Sequence, residues 1–374
     1  MNNLFRILVM LTLLGNQAVA QISITENKEI LASIEKSLDY IYNTEVAEAN
    51  ALNEEIGRKL PNHPAYFMLK ALTIRAANAP MNLGSPEFQE MKGYLEKVLS
   101  LSEEILDENE MQPEANFFAM ASIGLLAMYE NDQGNHLKAV GMAQDAYTYL
   151  KNGFELKEKY PEFYFSSGLY NYYRIKYPEM HPVYKPFMLF FRDGDKELGL
   201  EQLKKAYRES IFMSPESAEY LTHIYLRYEE KPEQALHYAR ILVRKYPQNL
   251  FFVTNFLDAA ITAKQYNNLD SYVKQLLASD RDFYKMTGKL FEGMLLEKRD
   301  QQWDMAERSY IQSLEYAQGL ESDEAENYKS YVYAGLARIA HEEKKYEAAR
   351  SFYKKALASA QYVPVEKEAK AYLQ

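Results

Sequence analysis

The sequence predicts an all-α fold, an α-solenoid of about six or seven helical hairpins with no sheet. Three observations carry that prediction. Gly and Pro are few, 15 and 13 in 374 residues, while Ala, Leu, Glu and Lys abound and β-branched residues almost never alternate along a run, so helices dominate. Between Tyr346 and Ala356, small residues at Ala349 and Ala356 and an aromatic at Tyr353 fall on one helical face. Small residues there let a second helix approach closely, and the ring fills the space between neighbouring hairpins. The partner helix is also in the sequence: Tyr331 to Ala337 carries Leu336 and its own small contact residue, Ala337, upstream of Ala349. Such units bury apolar surface by stacking, so residues 21–374 are expected to form one solenoid rather than one globular centre.

Taken in order, the chain opens with a short basic segment, Met1 to Arg6, followed by an apolar run too short to span a bilayer, Ile7 to Leu14. Ala18-Val19-Ala20 then supplies a small-residue cleavage pattern, so residues 1–20 read as a secretory signal peptide. Cleavage removes Arg6 and takes the net charge from −10 to −11, with 42 basic against 53 acidic residues left. The chain has no cysteine to carry acyl chains, so a lipoprotein is not expected. The expectation is export, to the periplasm first and the medium second, with no stable membrane insertion after cleavage.

The units of residues 21–214 are irregular and those of 215–374 more regular. Pro64, Pro113, Pro161, Pro215 and Pro247 each precede an apolar helical run. Proline suits a first turn, where its missing N–H has no partner to lose, so each is expected to open a hairpin. Their separations of 49, 48, 54 and 32 residues make the early units long. Within 160–206, a Tyr-rich helix from Phe163 to Tyr173 is followed by Pro178, Pro182, Pro186 and the apolar run Phe187 to Phe191. A second helix then carries Gly199, Leu203 and Ala206 in small, bulky, small order, so residues 177–195 are expected as an insertion between two helices of one hairpin. The apolar run reads as a plug packed on the stack, with a groove wall as the functional alternative. Asp193-Gly194-Asp195 lacks the third Asp and the distal Glu of a calcium loop and reads as the turn before a helix starting at Lys196.

A further hairpin runs from Pro215 to Pro247, with Ala235, Ala239 and Leu242 on its second helix. Another has Gly293, Trp303, Ala306, Tyr310 and Ser313, with the single Trp read as core. A bulky residue, Leu-Gly/Ala, Tyr, then Ala-x3-Phe/Tyr-x2-Ala and a closing Pro resembles the tetratricopeptide repeat (TPR) family, whose period is about 34 residues. The resemblance implies a right-handed solenoid whose first helices line a concave binding side. In the family frame, residues 250–279 place Val253, Phe256, Ala260, Tyr266, Leu269, Val273 and Leu276 at apolar positions, with Leu257 and Leu269 standing where small residues are usual. Over 191–203, Phe-x3-Asp-x3-Gly-Leu-x2-Leu is also similar to inclusion-body-clearance-type TPR proteins.

Acidity without a basic stripe argues against nucleic acid, because neutralising phosphates takes clustered Lys and Arg. The Lys pairs at 204–205, 344–345 and 354–355 interleave with Glu and read as solvated faces. There is no cysteine nucleophile, Gly-x-Ser-x-Gly elbow, phosphate loop or His-Glu-x-x-His helix, and the six histidines are scattered. The reading is not an enzyme, with no cofactor and no metal.

Most of the 32 tyrosines fall at helical spacing and read as filler within and between hairpins. A minority is expected at the ligand. The concave positions that the resemblance implies, joined to the aromatic region 160–192, give Phe165, Tyr172, Tyr173, Arg174, Tyr184, Tyr220, Arg227, Asp258 and Arg338 as partner-binding residues. The Lys/Arg-Asn pattern by which chaperone-binding TPR proteins hold a terminal carboxylate is not met. The expected function is an exported scaffold for protein–protein interaction, holding another protein or peptide segment, an envelope protein, on its concave face. The alternative is a periplasmic glycan- or small-molecule-binding module using the aromatic 160–192 region.

Overall fold

A computed structural model describes residues 23–374 apart from 80, 82, 181–184, 186–190, 321 and 361–362. The signal-peptide segment and Tyr184 lie outside the described residues, as does the Phe187 to Phe190 part of the apolar run. Among the described residues there are 17 helices and no strand. They are α1 (Lys28–Tyr42), α2 (Val46–Lys59), α3 (Pro64–Asn78), α4 (Pro86–Glu108), α5 (Pro113–Asp132), α6 (His136–Leu156), α7 (Phe163–Met180), α8 (Lys196–Glu209) and α9 (Ser214–Arg227). There follow α10 (Pro232–Lys245), α11 (Leu250–Thr262), α12 (Asp270–Leu277), α13 (Asp282–Lys298), α14 (Trp303–Tyr316), α15 (Asp323–Glu342), α16 (Tyr346–Ser359) and α17 (Val363–Leu373). This makes eight consecutive pairs and a terminal helix. The pair α1 and α2 lies ahead of Pro64, the first of the hairpin-opening prolines.

The prolines mark the first helix of each early pair. Pro64 and Pro113 are the first residues of α3 and α5, Pro215 lies in the first turn of α9, and Pro161 and Pro247 stand just before α7 and α11. A second device recurs that the sequence did not announce. Thr44, Glu230, Lys264, Gln301 and Lys344, each just after a first helix, adopt positive φ of 50–63°. The next residue donates its N–H back to a helical carbonyl: Glu45 to Tyr40, Lys231 to Tyr225, Gln265 to Ala260, Gln302 to Leu296 and Lys345 to Ala340, all at 2.8 Å. This is a left-handed helix stop that satisfies the end carbonyls, built here without glycine.

The chain divides into two compact units. One comprises residues up to Ile41, Glu45–Glu130 and His136–Tyr149. Within it a buried polar rung ties three helices: Ser37 Oγ donates to Asn53 Oδ1 at 2.5 Å, and Asn53 Nδ2 donates to Thr73 Oγ1 at 2.9 Å. Burial makes each of these partners necessary, because an unpaired polar group there costs about 1–3 kcal/mol.

The other unit comprises Tyr42–Thr44, Asn131–Asn135 and Leu150–Gln374. Here α7 packs on α8, α9 on α10, α13 on α14 and α15 on α16, while successive first helices α9, α11, α13 and α15 also touch. Ala235, Ala239, Leu203, Ala206, Ala337, Ala349 and Ala356 are buried, as their small-residue spacing required. One close contact is backbone on backbone: a Cβ placed on Gly199 would lie 2.8 Å from the Gly168 carbonyl oxygen and 2.6 Å from the Tyr172 nitrogen.

Two expectations about this unit are corrected. Trp303 is not core: it begins α14 and is 36% exposed, whereas the hairpin centre is taken by fully buried Tyr310, whose ring lies where a Cβ on Gly293 or Gly335 would fall. The inserted segment also starts later than 177. Helix α7 continues through Pro178 to Met180, so only residues 181–195 join it to α8. Asp193-Gly194-Asp195 does act as the turn into α8, with Asp195 Oδ1 accepting the Leu198 N–H at 3.0 Å.

Candidate functional site

The first helices α7, α9, α11, α13 and α15 carry most of the residues expected to meet a partner. Several of them meet each other. Arg227 at the end of α9 is 5% exposed and Asp258 on α11 is 2% exposed; Nη2 of the first reaches Oδ2 of the second at 2.5 Å. The same guanidinium donates from Nη1 to the Tyr331 hydroxyl on α15 at 2.5 Å and lies over the Tyr328 and Tyr331 rings at 5.9 and 5.5 Å. Arg227 and Asp258 were expected at an open groove. They form a buried pair that links three first helices, because two long-range opposite charges satisfy one another better than either satisfies water once both are enclosed.

Arg338 on α15 builds a second node. It donates from Nε and Nη2 to the two oxygens of Glu297 at 2.5 and 2.9 Å, and from Nη1 to Glu368 of α17 at 2.8 Å. Buried Tyr310 donates its hydroxyl to Glu297, and Tyr353 donates to Glu368 at 2.9 Å. Burial alone would lift the Glu297 carboxyl, but the Arg338 charge and the Arg338 and Tyr310 hydrogen bonds hold it below the usual carboxylate range. Burial likewise works against the Arg338 cation, and Glu297 outweighs it, so the guanidinium stays charged. The side chain of Arg338 is 24% exposed, so it is a brace between α13, α15 and α17 with one side open.

The aromatic group from the Tyr-rich helix is split between core and surface. Tyr172 is corrected from lining to core: it is fully buried, donates to Glu229 Oε1 at 2.8 Å, and its phenol is raised well above the usual range by burial and then by that carboxylate. Glu229 also takes Lys196 Nζ at 3.2 Å. Tyr173 is half-buried and stands edge-on to Tyr172 and Tyr228, with centroids 5.2 and 6.1 Å away. Arg174 was expected as a cationic tip, yet its side chain is only 14% exposed, lying against Gly194 with Nη2 3.9 Å from Asp193 Oδ1.

Two further rings are partly exposed. Phe165 on α7 and Tyr220 on α9 occupy the same frame position on consecutive first helices, are half-buried, and meet edge to face at 5.4 Å and 73°. Next along α9, His223 contacts the Tyr228 ring at 5.3 Å; burial and the Arg227 charge push its pKa down to about 3, so it is neutral at ordinary pH. Close to this ring pair, Arg227 and Asp258 are paired with each other and His223 is neutral.

The Pro-Glu openings hold two further carboxylates, Glu162 and Glu114. Glu162, 4% exposed, accepts the N–H groups of Ile211, Phe212 and Met213 at 2.6, 3.2 and 3.0 Å, and burial pushes its carboxyl up to about 7 against those donors. In the N-terminal unit, Glu114 accepts from Ser23 Oγ at 2.5 Å and lies 3.5 Å from His63 Nε2; burial raises it, but these partners outweigh burial and lower it. Both tie a loop to a helix start. Among the described residues no group of three His, Cys, Asp or Glu is placed to hold a metal, and no helix is long and apolar enough to cross a membrane.

No protein-family model matches the chain. No curated protein matches it either. Among solved structures it is similar to yeast Tom70, at 13% identity and TM-score 0.37, over 83% of this chain and 64% of that one. It is similar to a human IFIT1 dimer with PPP-AAAA, at 16% identity and TM-score 0.35, over 83% of this chain and 79% of that one. A Rap protein complexed with Competence and Sporulation Factor is similar at 15% identity and TM-score 0.36, over 92% of this chain and all of that one. The chain spans under two thirds of the Tom70 chain. These are TPR-type helical-repeat proteins.

Proposed function

We propose that this chain is a non-enzymatic interaction scaffold, exported by its N-terminal segment to the periplasm, that holds a segment of another envelope protein on the first-helix face of its C-terminal unit. The observation that carries the reading is the Phe165–Tyr220 pair, two half-buried rings in register on neighbouring helices. Aromatic rings give large contact area at small rotamer loss and recur as interface anchors. The braces around Arg227 and Arg338 support the reading in a second way, since a face whose backbone is already fixed loses less freedom when a partner docks. The partner contact is accordingly moved from the charged positions to Phe165, Tyr220 and Tyr173. A Phe165→Ala/Tyr220→Ala variant should fold as the parent and lose partner capture from a native envelope extract. Capture at the parental level would refute the site, and recovery of the protein from the cytoplasm alone would refute export.

A further inference from the structure

One hairpin of the C-terminal unit breaks the repeat, and the break opens a cleft. In the hairpins around it the second helix begins two residues after the left-handed stop: Pro232 after Glu230, Trp303 after Gln301 and Tyr346 after Lys344. After Lys264 it begins only at Asp270, six residues on, with a second left-handed residue at Asn268, φ 61°. Helix α12 is consequently 8 residues long where α10, α14 and α16 have 14. At 1.5 Å per residue, the four-residue delay removes about 6 Å of helix, roughly one turn. The flanks of α10 and α11 that a full helix would cover are left open, and the cleft there has a volume of about 680 Å³. That is the size of a small-molecule site, for which about 300–1,000 Å³ is usual.

The chemistry of the walls is unlike the rest of this acidic chain. Arg240, Arg244, Lys264 and Arg299 line the cleft, and no Asp or Glu does. Two of the four are engaged. Arg299 is held by Asp270 at 2.8 and 3.0 Å and by Asp300, and Arg240 donates to Gln265 Oε1 at 2.9 Å, a neutral partner that leaves its charge unbalanced. The Arg244 and Lys264 side chains make no hydrogen bond or ion pair among the described residues. Phe256 and Tyr272, which meet at 4.9 Å and 60°, also line the cleft, with Tyr266, Asn267 and Asn268. Cations gathered in a concavity with no acid on its wall concentrate anions, and guanidinium groups pair with carboxylate or phosphate oxygens.

We propose that this cleft binds a small molecule carrying a carboxylate or phosphate beside a flat body, with the oxyanion held by Arg240, Arg244 and Lys264 and the body against Tyr266 and Tyr272. The shortened helix makes the room and the three cations supply the specificity. The site is separate from the Phe165–Tyr220 face, so the two stand or fall independently. The test is isothermal titration of the mature chain with phenyl phosphate, benzoate and inorganic phosphate. Saturable binding of at least one flat-bodied probe is expected, weakened at least tenfold in Arg244→Ala/Lys264→Ala, retained in Arg244→Lys, and unchanged in the distant pair Arg308→Ala/Lys354→Ala. Preference for phenyl phosphate over benzoate, or the reverse, identifies the oxyanion and supports the site in either case. Absence of saturable binding to every probe, or equal binding by the Arg244→Ala/Lys264→Ala and parental proteins, overturns it.

Discussion

Replacing Gly199 by alanine adds one methyl group where α8 meets the backbone of α7. The added carbon would stand 2.6 Å from the Tyr172 nitrogen, 2.8 Å from the Gly168 oxygen and 3.0 Å from the Tyr172 Cα. All three are backbone atoms of α7, so no side-chain rotation relieves the contact. Reaching an ordinary separation of 3.4 Å means moving α8 away by up to about 0.8 Å, which opens the seam that buries Tyr172, Leu203 and Ala206. Overpacking of this kind costs about 1–3 kcal/mol, and alanine returns about 1 kcal/mol of helix propensity, leaving a net loss of about 0–2 kcal/mol. Urea denaturation followed by circular dichroism at 222 nm measures it. Gly93→Ala supplies the opposite sign: that glycine is exposed in α4 with nothing within 4 Å of the added carbon, so about 0.5–1 kcal/mol of stabilisation is expected. A midpoint raised as far by Gly199→Ala as by Gly93→Ala would refute the close helix contact.

Arg227→Ala strands the buried Asp258 carboxylate and should cost about 3–5 kcal/mol, while removing both charges together, as Arg227→Met/Asp258→Leu, should recover most of it; equal losses from the single and double variants would count against the pair. For Glu162 the folded carboxyl sits near 7, above its unfolded value of about 4.3, so its proton is held more tightly in the folded chain. Its contribution to stability is complete below about pH 4.3 and is lost as pH rises through 7, so Glu162→Gln should flatten the stability profile over that window; a profile parallel to the parent would exclude it. Arg338→Ala should leave α17 anchored mainly by apolar contacts and speed hydrogen exchange across Val363–Leu373 more than across α13, and uniform exchange would argue against the brace.

The repeat was readable wherever spacing alone decides burial. Ala349, Tyr353 and Ala356 recur at three- and four-residue steps, and so do Ala235, Ala239 and Leu242, and all six are buried. Val253, Phe256, Ala260, Leu269, Val273 and Leu276 likewise sit in the core of the hairpin where the family frame put them. The frame also found the right faces but not their exposure. Tyr172 and Tyr220 both occupy first-helix positions, yet one is enclosed by Tyr173, Tyr228 and Glu229 and the other is half-open, a difference made by neighbours far along the chain. Arg227 and Asp258 did leave a sequence trace, opposite charges 31 residues apart and therefore about one period apart on successive first helices. Glu297 and Arg338, 41 residues apart, left the same trace. Nothing local marked the helix stops, because Thr, Glu, Lys, Gln and Lys take the conformation that glycine would have advertised. Trp303 was misread because rarity and size suggest burial, whereas its place as the first residue of α14 sets it at a helix end.

Partner docking at the half-buried Phe165–Tyr220 pair is open to direct test. Capture from native envelope extract, followed by mass spectrometry, should be run in parallel with the parent, Phe165→Ala/Tyr220→Ala and the exposed-surface control Lys354→Ala, each checked for a parental circular dichroism spectrum. A partner protein enriched with the parent and the control and lost with the aromatic double variant is the predicted result. Equal enrichment across all three proteins would contradict it.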